Sequence, residues 1–245
     1  MRYLIYTILL LSNLFAQEIT VGAGPYIQSQ PYKDVKNIIV PSPVVFFDNS
    51  IFYVRWSRAG LYFLGDKNDD YAWGFSITAQ PRVNQYKASD SYTLRGMKDK
   101  DSSLEGGLAF SASIDKSYIE IMALTDILDR YDSWILKTEL GYDFELGKFE
   151  FYPSAILIYQ SSKFLDYYYG VDSDETISGV RDVYKANDGL TVGAQTYIKY
   201  PLTDKLSALA NLRVDKLSNE ATSSPIVEDD YIYSGLLSLI YKFDY

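Results

Sequence analysis

The 245-residue chain contains neither histidine nor cysteine. Without imidazole, Ser-His-Asp triads, water activation by an Asp-His pair and zinc sites built on histidine are excluded. Without thiols there is no disulfide framework, no thiolate nucleophile and no zinc–sulfur site. Beyond the extreme N-terminus, no stretch approaches the roughly 20 apolar residues that a membrane-spanning helix needs. Positive charge is the minority: 23 Lys and Arg stand against 32 Asp and Glu, a formal net charge of −9. That balance argues against nucleic acid as a partner, because such binding runs on Lys and Arg neutralising phosphates. No phosphate loop or dinucleotide fingerprint is present, and Gly22-Ala23-Gly24 reads as strand glycine.

What remains for chemistry is carboxylate. Asp172, Asp174 and Glu175 lie together, as do Asp66, Asp69 and Asp70, and Asp99 with Asp101. A glycosidase uses two such groups. None of these clusters has the turn glycine and terminal bidentate Glu of a calcium loop, and a chain this acidic produces such clusters by composition alone. The expectation is therefore a protein without enzymatic activity, cofactor or resident metal.

The informative stretch is the last fifteen residues. From Tyr231 to Tyr245 every odd position is apolar, aromatic or glycine, whereas Ser234, Ser238, Lys242 and Asp244 occupy even positions. Period two marks a strand whose side chains alternate between two faces. A greasy face, aromatics near the end and polar residues opposite suit the closing strand of a transmembrane β-barrel. An ordinary sandwich strand is the bland alternative. Tyr241, Phe243 and Tyr245 also look like the terminal aromatic signal that the barrel assembly machinery recognises in outer-membrane proteins.

The N-terminus is consistent with export. Arg2 supplies a short positive segment, Tyr3 to Leu11 is apolar, and Ala16 precedes Gln17, which reads as a signal peptide over residues 1–16. Residues 17–245 then form one domain. Its 24 Tyr and 12 Phe suit aromatic girdles at two lipid interfaces.

Alternation recurs along the whole chain. The clearest runs are Tyr71 to Arg82, Leu104 to Asp115, Trp134 to Glu145, Phe149 to Tyr159, Leu190 to Tyr200 and Leu206 to Asp215. With Ile19 to Ile27, Pro41 to Phe47, Ile51 to Trp56, Gly60 to Gly65, Ser117 to Thr125 and the final strand, the spacing predicts twelve antiparallel strands. Ten strands, with residues 37–65 arranged differently, is the alternative. With both termini periplasmic, the links at 48–50, 66–70, 115–116, 146–148 and 201–204 are short. Those at 28–40, 83–103, 161–189 and 217–229 are long and face outward, the usual asymmetry of bacterial outer-membrane barrels.

Placing the apolar parity toward lipid sends Arg55, Arg82, Glu105, Lys137, Glu139, Lys199 and Arg213 into the lumen, with Glu120, Asp143, Glu145, Glu150, Asp215, Lys242 and Asp244. Mixed signs permit cross-strand ion pairs that offset desolvation, and solvated lining without selectivity is the bland reading. A twelve-stranded barrel is expected to be narrow or plugged.

Several segments resemble one family. Phe164-Leu-Asp-Tyr167-Tyr168-Tyr169-Gly170-Val171, followed by Asp172 and a later Tyr184, is similar to a Tyr-Tyr-Gly-Val segment of the MltA-interacting protein (MipA/OmpV) family. Gly22-Ala-Gly24, Pro41-Ser-Pro43, Phe52 to Arg55, Leu94 to Met97, Ser103 to Gly107, Ser224-Pro225 and Tyr241-Lys-Phe243 resemble other parts of it, in order. Lys100 departs from the pattern, which has Arg there, and Asp244-Tyr245 extends past the usual Phe ending. The resemblance implies an outer-membrane barrel. For some members it also implies a scaffold joining a lytic transglycosylase to a penicillin-binding protein, hence murein hydrolase and synthase partners. A narrow channel for small solutes or ions, and surface adhesion through the long loops, are the alternatives. Tyr167 to Val171 then reads either as a contact surface or as packing of the loop into the barrel mouth, with Gly170 expected at positive φ.

Overall fold

The computed structural model describes residues 18–68 and 70–243. The expected signal peptide, Asp69, Asp244 and Tyr245 lie outside the described residues. Thirteen strand segments form one sheet: β1 (Ile19–Gln28), β2 (Ile38–Asp48), β3 (Phe52–Arg55), β4 (Arg58–Lys67), β5 (Tyr71–Arg82), β6 (Ser103–Ile114), β7 (Ser117–Asp126), β8 (Trp134–Tyr142), β9 (Phe144–Leu146), β10 (Phe149–Gln160), β11 (Gly189–Pro201), β12 (Leu206–Lys216) and β13 (Tyr231–Phe243). Each neighbouring pair is antiparallel, and β1 pairs with β13, so the sheet closes on itself. Closure pairs the first strand with the last, the arrangement needed for crossing a bilayer with strands, and among the described residues leaves strand edges unpaired only above the short β3–β4 hairpin. Among the described residues no helix is long and apolar enough to do so.

The thirteen segments make twelve staves. β8 and β9 both pair with β10, in one continuous register that places Pro153 opposite Tyr142. Proline has no amide to donate, so the ladder lapses at that level and the stave is interrupted at Asp143. Twelve staves is therefore the observed count, not ten.

Side chains follow the expected parity. Ile77, Leu108, Leu140, Leu157, Leu190, Leu212, Leu237 and Leu239 stand exposed on the outer wall, where lipid rather than water is the solvent. Tyr241 and Phe243 face the same way with ring centroids 4.7 Å apart. The register shifts between Tyr62 and Leu64, a bulge. A bulge turns two consecutive residues to one side, which is why Phe63 and Leu64 are both exposed.

Residues 51–65 differ from expectation in their boundaries. β4 begins at Arg58 rather than Gly60 and runs to Lys67, while β3 has only four residues. The two-residue loop Trp56-Ser57 is tight, with Trp56 at φ 57°. This hairpin is so short that β2 beyond Val45, and β5 beyond Ala79, have no partner on that side.

The turns at 49–51, 68–70, 115–116, 147–148 and 202–205 are short; the links at 29–37, 83–102, 127–133, 161–188 and 217–230 are longer and lie at the opposite, outer end. These longer links do not project. They carry a second core, inside the barrel mouth, built from Tyr32, Tyr86, Leu94, Tyr131, Phe164, Leu165, Tyr168, Tyr169, Leu217 and Ile226.

Candidate functional site: a plugged barrel and its lumen

The plug is organised by a helix within the link 161–188. Helix α1 (Ser162–Tyr169) buries Phe164, Leu165, Tyr168 and Tyr169, spaced i, i+1, i+4 and i+5 on one face. Asp188 caps its start by accepting from the Ser162 amide at 2.6 Å. Its end is tied by Ser224 Oγ donating to the Tyr169 carbonyl at 2.6 Å. Phe164 meets Tyr131 edge to face at 5.0 Å, and Tyr32 meets Tyr86 at 4.7 Å. Alternation reads 161–189 only as a loop, although the spacing of these four residues is a helical signal.

Tyr168, Tyr169 and Val171 are buried and Tyr167 is half-buried. No partner touches the buried three without opening the plug. Gly170 corrects one expectation: its φ is −68°, not positive. The glycine is required by close approach instead, since a Cβ there would lie 2.4 Å from the Asp166 carbonyl oxygen.

Polar groups clamp the plug loops to one another. The buried Arg181 donates from Nε to the Glu175 carbonyl at 2.6 Å and from Nη2 to the Arg95 carbonyl at 2.7 Å. Its Nη1 donates to the Thr93 carbonyl. One guanidinium fork thus satisfies three carbonyls from two loops. Nearby, Lys98 Nζ lies 2.8 Å from Asp172 Oδ2, and the hydrogen bond it donates holds Asp172 below the usual carboxylate range. Lys100 lies over the Tyr167 ring at 4.6 Å, and burial lowers its affinity for the proton.

Below the plug lies a cavity of about 1900 Å³, reaching from Gln160, Tyr169 and Leu217 down to Glu18, Asp48 and Asp66 at the turn end. Most of the charges expected in the lumen sit there as ion pairs, whereas Asp143 has a buried carboxylate oxygen with no hydrogen-bond partner among the described residues. Arg55 bridges Asp48 at 3.0 Å and Glu120 at 3.1 Å; Lys137 pairs with Glu139 at 3.2 Å; Lys199 with Glu150 at 3.1 Å; Arg213 with Asp215 at 2.7 Å. Arg82 pairs with the fully buried Glu105 higher up, where wall meets plug. Pairing of this kind lets charges sit inside a barrel wall whose outer face is in hydrocarbon. Glu145 does not join the network; it is exposed at the turn end.

The sequence pattern misses Arg58, which bonds to Glu120. Its signal is parity, because Arg58, Gly60 and Tyr62 share one face, but a strand taken to begin at Gly60 leaves Arg58 in a turn. The lumen also uses tyrosines as struts. The Tyr118 ring lies against Gly141, where a Cβ would come within 2.1 Å of it, and its hydroxyl donates to Glu139 at 2.8 Å. On the opposite wall an aromatic group forms, with Trp56 edge to face with Tyr26 at 5.6 Å and with Tyr197 at 6.3 Å. Phe46 meets Tyr197 at 6.5 Å. Among the described residues no cluster of three or more His, Cys, Asp or Glu is arranged to hold a metal ion.

The family model described as MltA-interacting protein MipA matches residues 21–243. The chain belongs to that family. The MltA-interacting protein of Escherichia coli (strain K12) is 29% identical to it, over 91% of this chain and 90% of the relative. The outer membrane protein OmpV of Vibrio cholerae serotype O1 is 22% identical, over 72% of this chain and 68% of the relative. Among solved structures, an outer membrane channel from Pseudomonas putida F1 aligns with a TM-score of 0.43 at 11% identity, covering 93% of this chain and 96% of that one. The protein is an outer-membrane β-barrel.

Proposed function

We propose, from membership of the MltA-interacting protein family, that this barrel is a non-enzymatic membrane-embedded scaffold for murein-remodelling proteins, engaged from the periplasm. The observation that carries the reading is the asymmetry of the lumen. Its outer end is filled by a packed core of loop side chains, while the cavity beneath reaches the short-turn end. A barrel sealed toward the outside and open toward the periplasm offers its contact surface to the periplasm. The relative named MltA-interacting protein supports a murein enzyme as the class of partner.

Short turns alone are a poor docking surface, because stable interfaces bury about 800 Å² on each partner. The rim of the open cavity, carrying Glu18, Asp48, Asp66 and Lys148, enlarges what the turns present. A narrow channel is the second reading; the plug counts against it. Adhesion by the outer loops is weakened because they fold inward.

The test is a pull-down from cross-linked cells, under conditions that recover known envelope complexes. Murein hydrolases and synthases are expected among the captured proteins, and recovery of neither would remove the scaffold role. Planar-bilayer recording of the refolded protein is expected to give no steady conductance. Discrete, reproducible steps would replace the scaffold with the channel.

A further inference from the structure

The short β3–β4 hairpin leaves a gap in the barrel wall. β3 has four residues, a rise of about 13 Å along the strand, less than half of the roughly 30 Å hydrocarbon core. Above the Trp56-Ser57 loop, Ile38 to Val44 of β2 and Gln80 to Arg82 of β5 face each other with no strand between them. No pairing joins β2 to β5 among the described residues. The gap lies on the outer-loop half of the barrel, at the level of the outer leaflet.

An unpaired strand edge in hydrocarbon is costly, because its amides have no water to bond. The two edges answer this cost in their sequence. The Trp56 amide donates to the Val45 carbonyl and the Asn49 amide to the Phe52 carbonyl. Odd-numbered residues of β2 therefore direct their backbone polar groups toward the gap side, and Pro41 and Pro43 are two of them. On the other edge, the Ile127 amide donates to the Leu104 carbonyl, so even positions of β6 point to β7 and odd ones to β5. Through the register Gln80↔Glu105 and Pro81↔Leu104, even positions of β5 pair with β6, which leaves Pro81 facing the gap. Three of the chain's eight prolines thus stand where an amide would otherwise point into an unpaired space. The Pro43 carbonyl accepts from Ser42 Oγ at 3.3 Å, and that oxygen accepts from Trp56 Nε1 at 2.9 Å. Edges finished in this way are suited to remain open.

The gap connects with the lumen. Val40 to Pro43 and Gln80 to Asn84 line the same cavity as the luminal ion pairs. Its lip is apolar, with Ile39 67% exposed beside Pro41, Pro43 and Pro81. Directly inside stand Tyr26, Phe46, Trp56 and Tyr197, packed on Val44, Leu209, Leu236 and Ile240. The charges around this aromatic group are already paired, Arg55 and Arg58 with Glu120, Arg82 with Glu105, Lys137 with Glu139 and Arg213 with Asp215, so the site has no surplus charge to offer an ion.

We infer that the gap between β2 and β5 is a lateral portal through which small, uncharged apolar molecules dissolved in the outer leaflet reach the luminal aromatic site. Apolar lips select for what lipid dissolves, and the aromatic faces hold a ring or short chain by stacking and burial. The inference is independent of the scaffold role: partner capture and ligand entry occur at opposite ends of the barrel.

The chain's three tryptophans are Trp56 at the portal and Trp73 and Trp134 elsewhere. Two reporters follow: W73F/W134F, which keeps Trp56, and W56F/W73F, which keeps the exposed Trp134. Both are refolded into vesicles and checked by heat-modifiable gel shift. The probe is 1-bromonaphthalene, whose bromine quenches indole emission. Trp56 is expected to be quenched saturably, at probe concentrations where Trp134 responds only linearly with partition into lipid. Pro43→Cys in the Trp56 reporter, unique in a cysteine-free chain and blocked with a bulky maleimide, is expected to slow the Trp56 response at least tenfold. The same label at Leu140→Cys is expected to leave it unchanged. Vesicles of dibrominated phosphatidylcholine form the second arm. Quenching of Trp56 by these lipids without a saturable response to 1-bromonaphthalene would mean that an acyl chain fills the gap, and would overturn the proposal. So would identical linear quenching of both reporters, or a response unaffected by the maleimide on the Pro43→Cys variant.

Discussion

Arg82 and Glu105 form a two-pronged pair, Nε to Oε1 at 2.7 Å and Nη2 to Oε2 at 3.0 Å, at the level where wall and plug meet. Glu105 is fully buried and also accepts from Tyr131 at 2.9 Å and Gln80 at 2.9 Å. Arg82 in turn lies over the Phe164 ring at 5.5 Å. The pair therefore ties β5, β6 and two outer loops together, Glu105 through Tyr131 and Arg82 through Phe164.

Removing either partner leaves a buried charge alone. Glu105→Ala and Arg82→Ala are each expected to destabilise the folded barrel by about 3–5 kcal/mol. Replacing both, as R82M/E105L, should recover most of that loss, because the apolar pair carries no desolvation cost. Urea unfolding in lipid vesicles measures all three. A double variant as unstable as the singles would mean that the pair acts through its other hydrogen bonds.

Arg181 carries a different load, three carbonyls and no carboxylate among its bonds. Arg181→Ala should cost about 1–3 kcal/mol per acceptor left unmet, confined to the plug. The readout is limited proteolysis of intact cells or outward-facing vesicles, with faster cleavage in 83–102 and 161–188. Arg181→Lys has one nitrogen in place of a planar fork, and is expected to restore only part of the protection.

Phe164 sits at the centre of the plug, and Phe164→Ala should cost about 3–5 kcal/mol through the cavity it leaves. Deleting residues 162–187 goes further and should convert a non-conducting barrel into one with measurable single-channel steps. If the deletion folds and stays silent, something other than this link seals the lumen.

Acid should loosen the clamp between Lys98 and Asp172. The Asp172 carboxyl is held below its usual range by the Lys98 hydrogen bond. A depressed carboxyl stabilises the fold above its unfolded pKa of about 3.9, and that contribution is lost as pH falls through the lowered folded value. Both side chains are more than half exposed, so the effect should be small and screened by salt. Proteolysis rates of the plug loops compared at pH 7 and below pH 3, against Asp172→Asn, read it out. The variant should show no such acid sensitivity at this clamp.

Alternation together with the short-and-long asymmetry of the links pointed from sequence to an antiparallel barrel with an apolar outer wall, its first and last strands starting and ending at the short-turn end, and Arg55, Lys137, Glu139 and Arg213 on the inward parity. Period two is a local property of an extended chain, so sequence displays it directly. A narrow or plugged interior is among the sequence expectations, but the architecture of the plug, the assignment of Arg58 and the gap between β2 and β5 came only from tertiary structure. The four buried residues of α1 have their helical spacing on view, yet nothing local says that a loop folds back into the barrel. Gly170 reads as a site of backbone freedom when the packing of Asp166 against it is the cause. Pro41, Pro43 and Pro81 are visible as prolines in strands, but which neighbour a missing amide would face depends on register. Register is set between strands, and no single strand contains it.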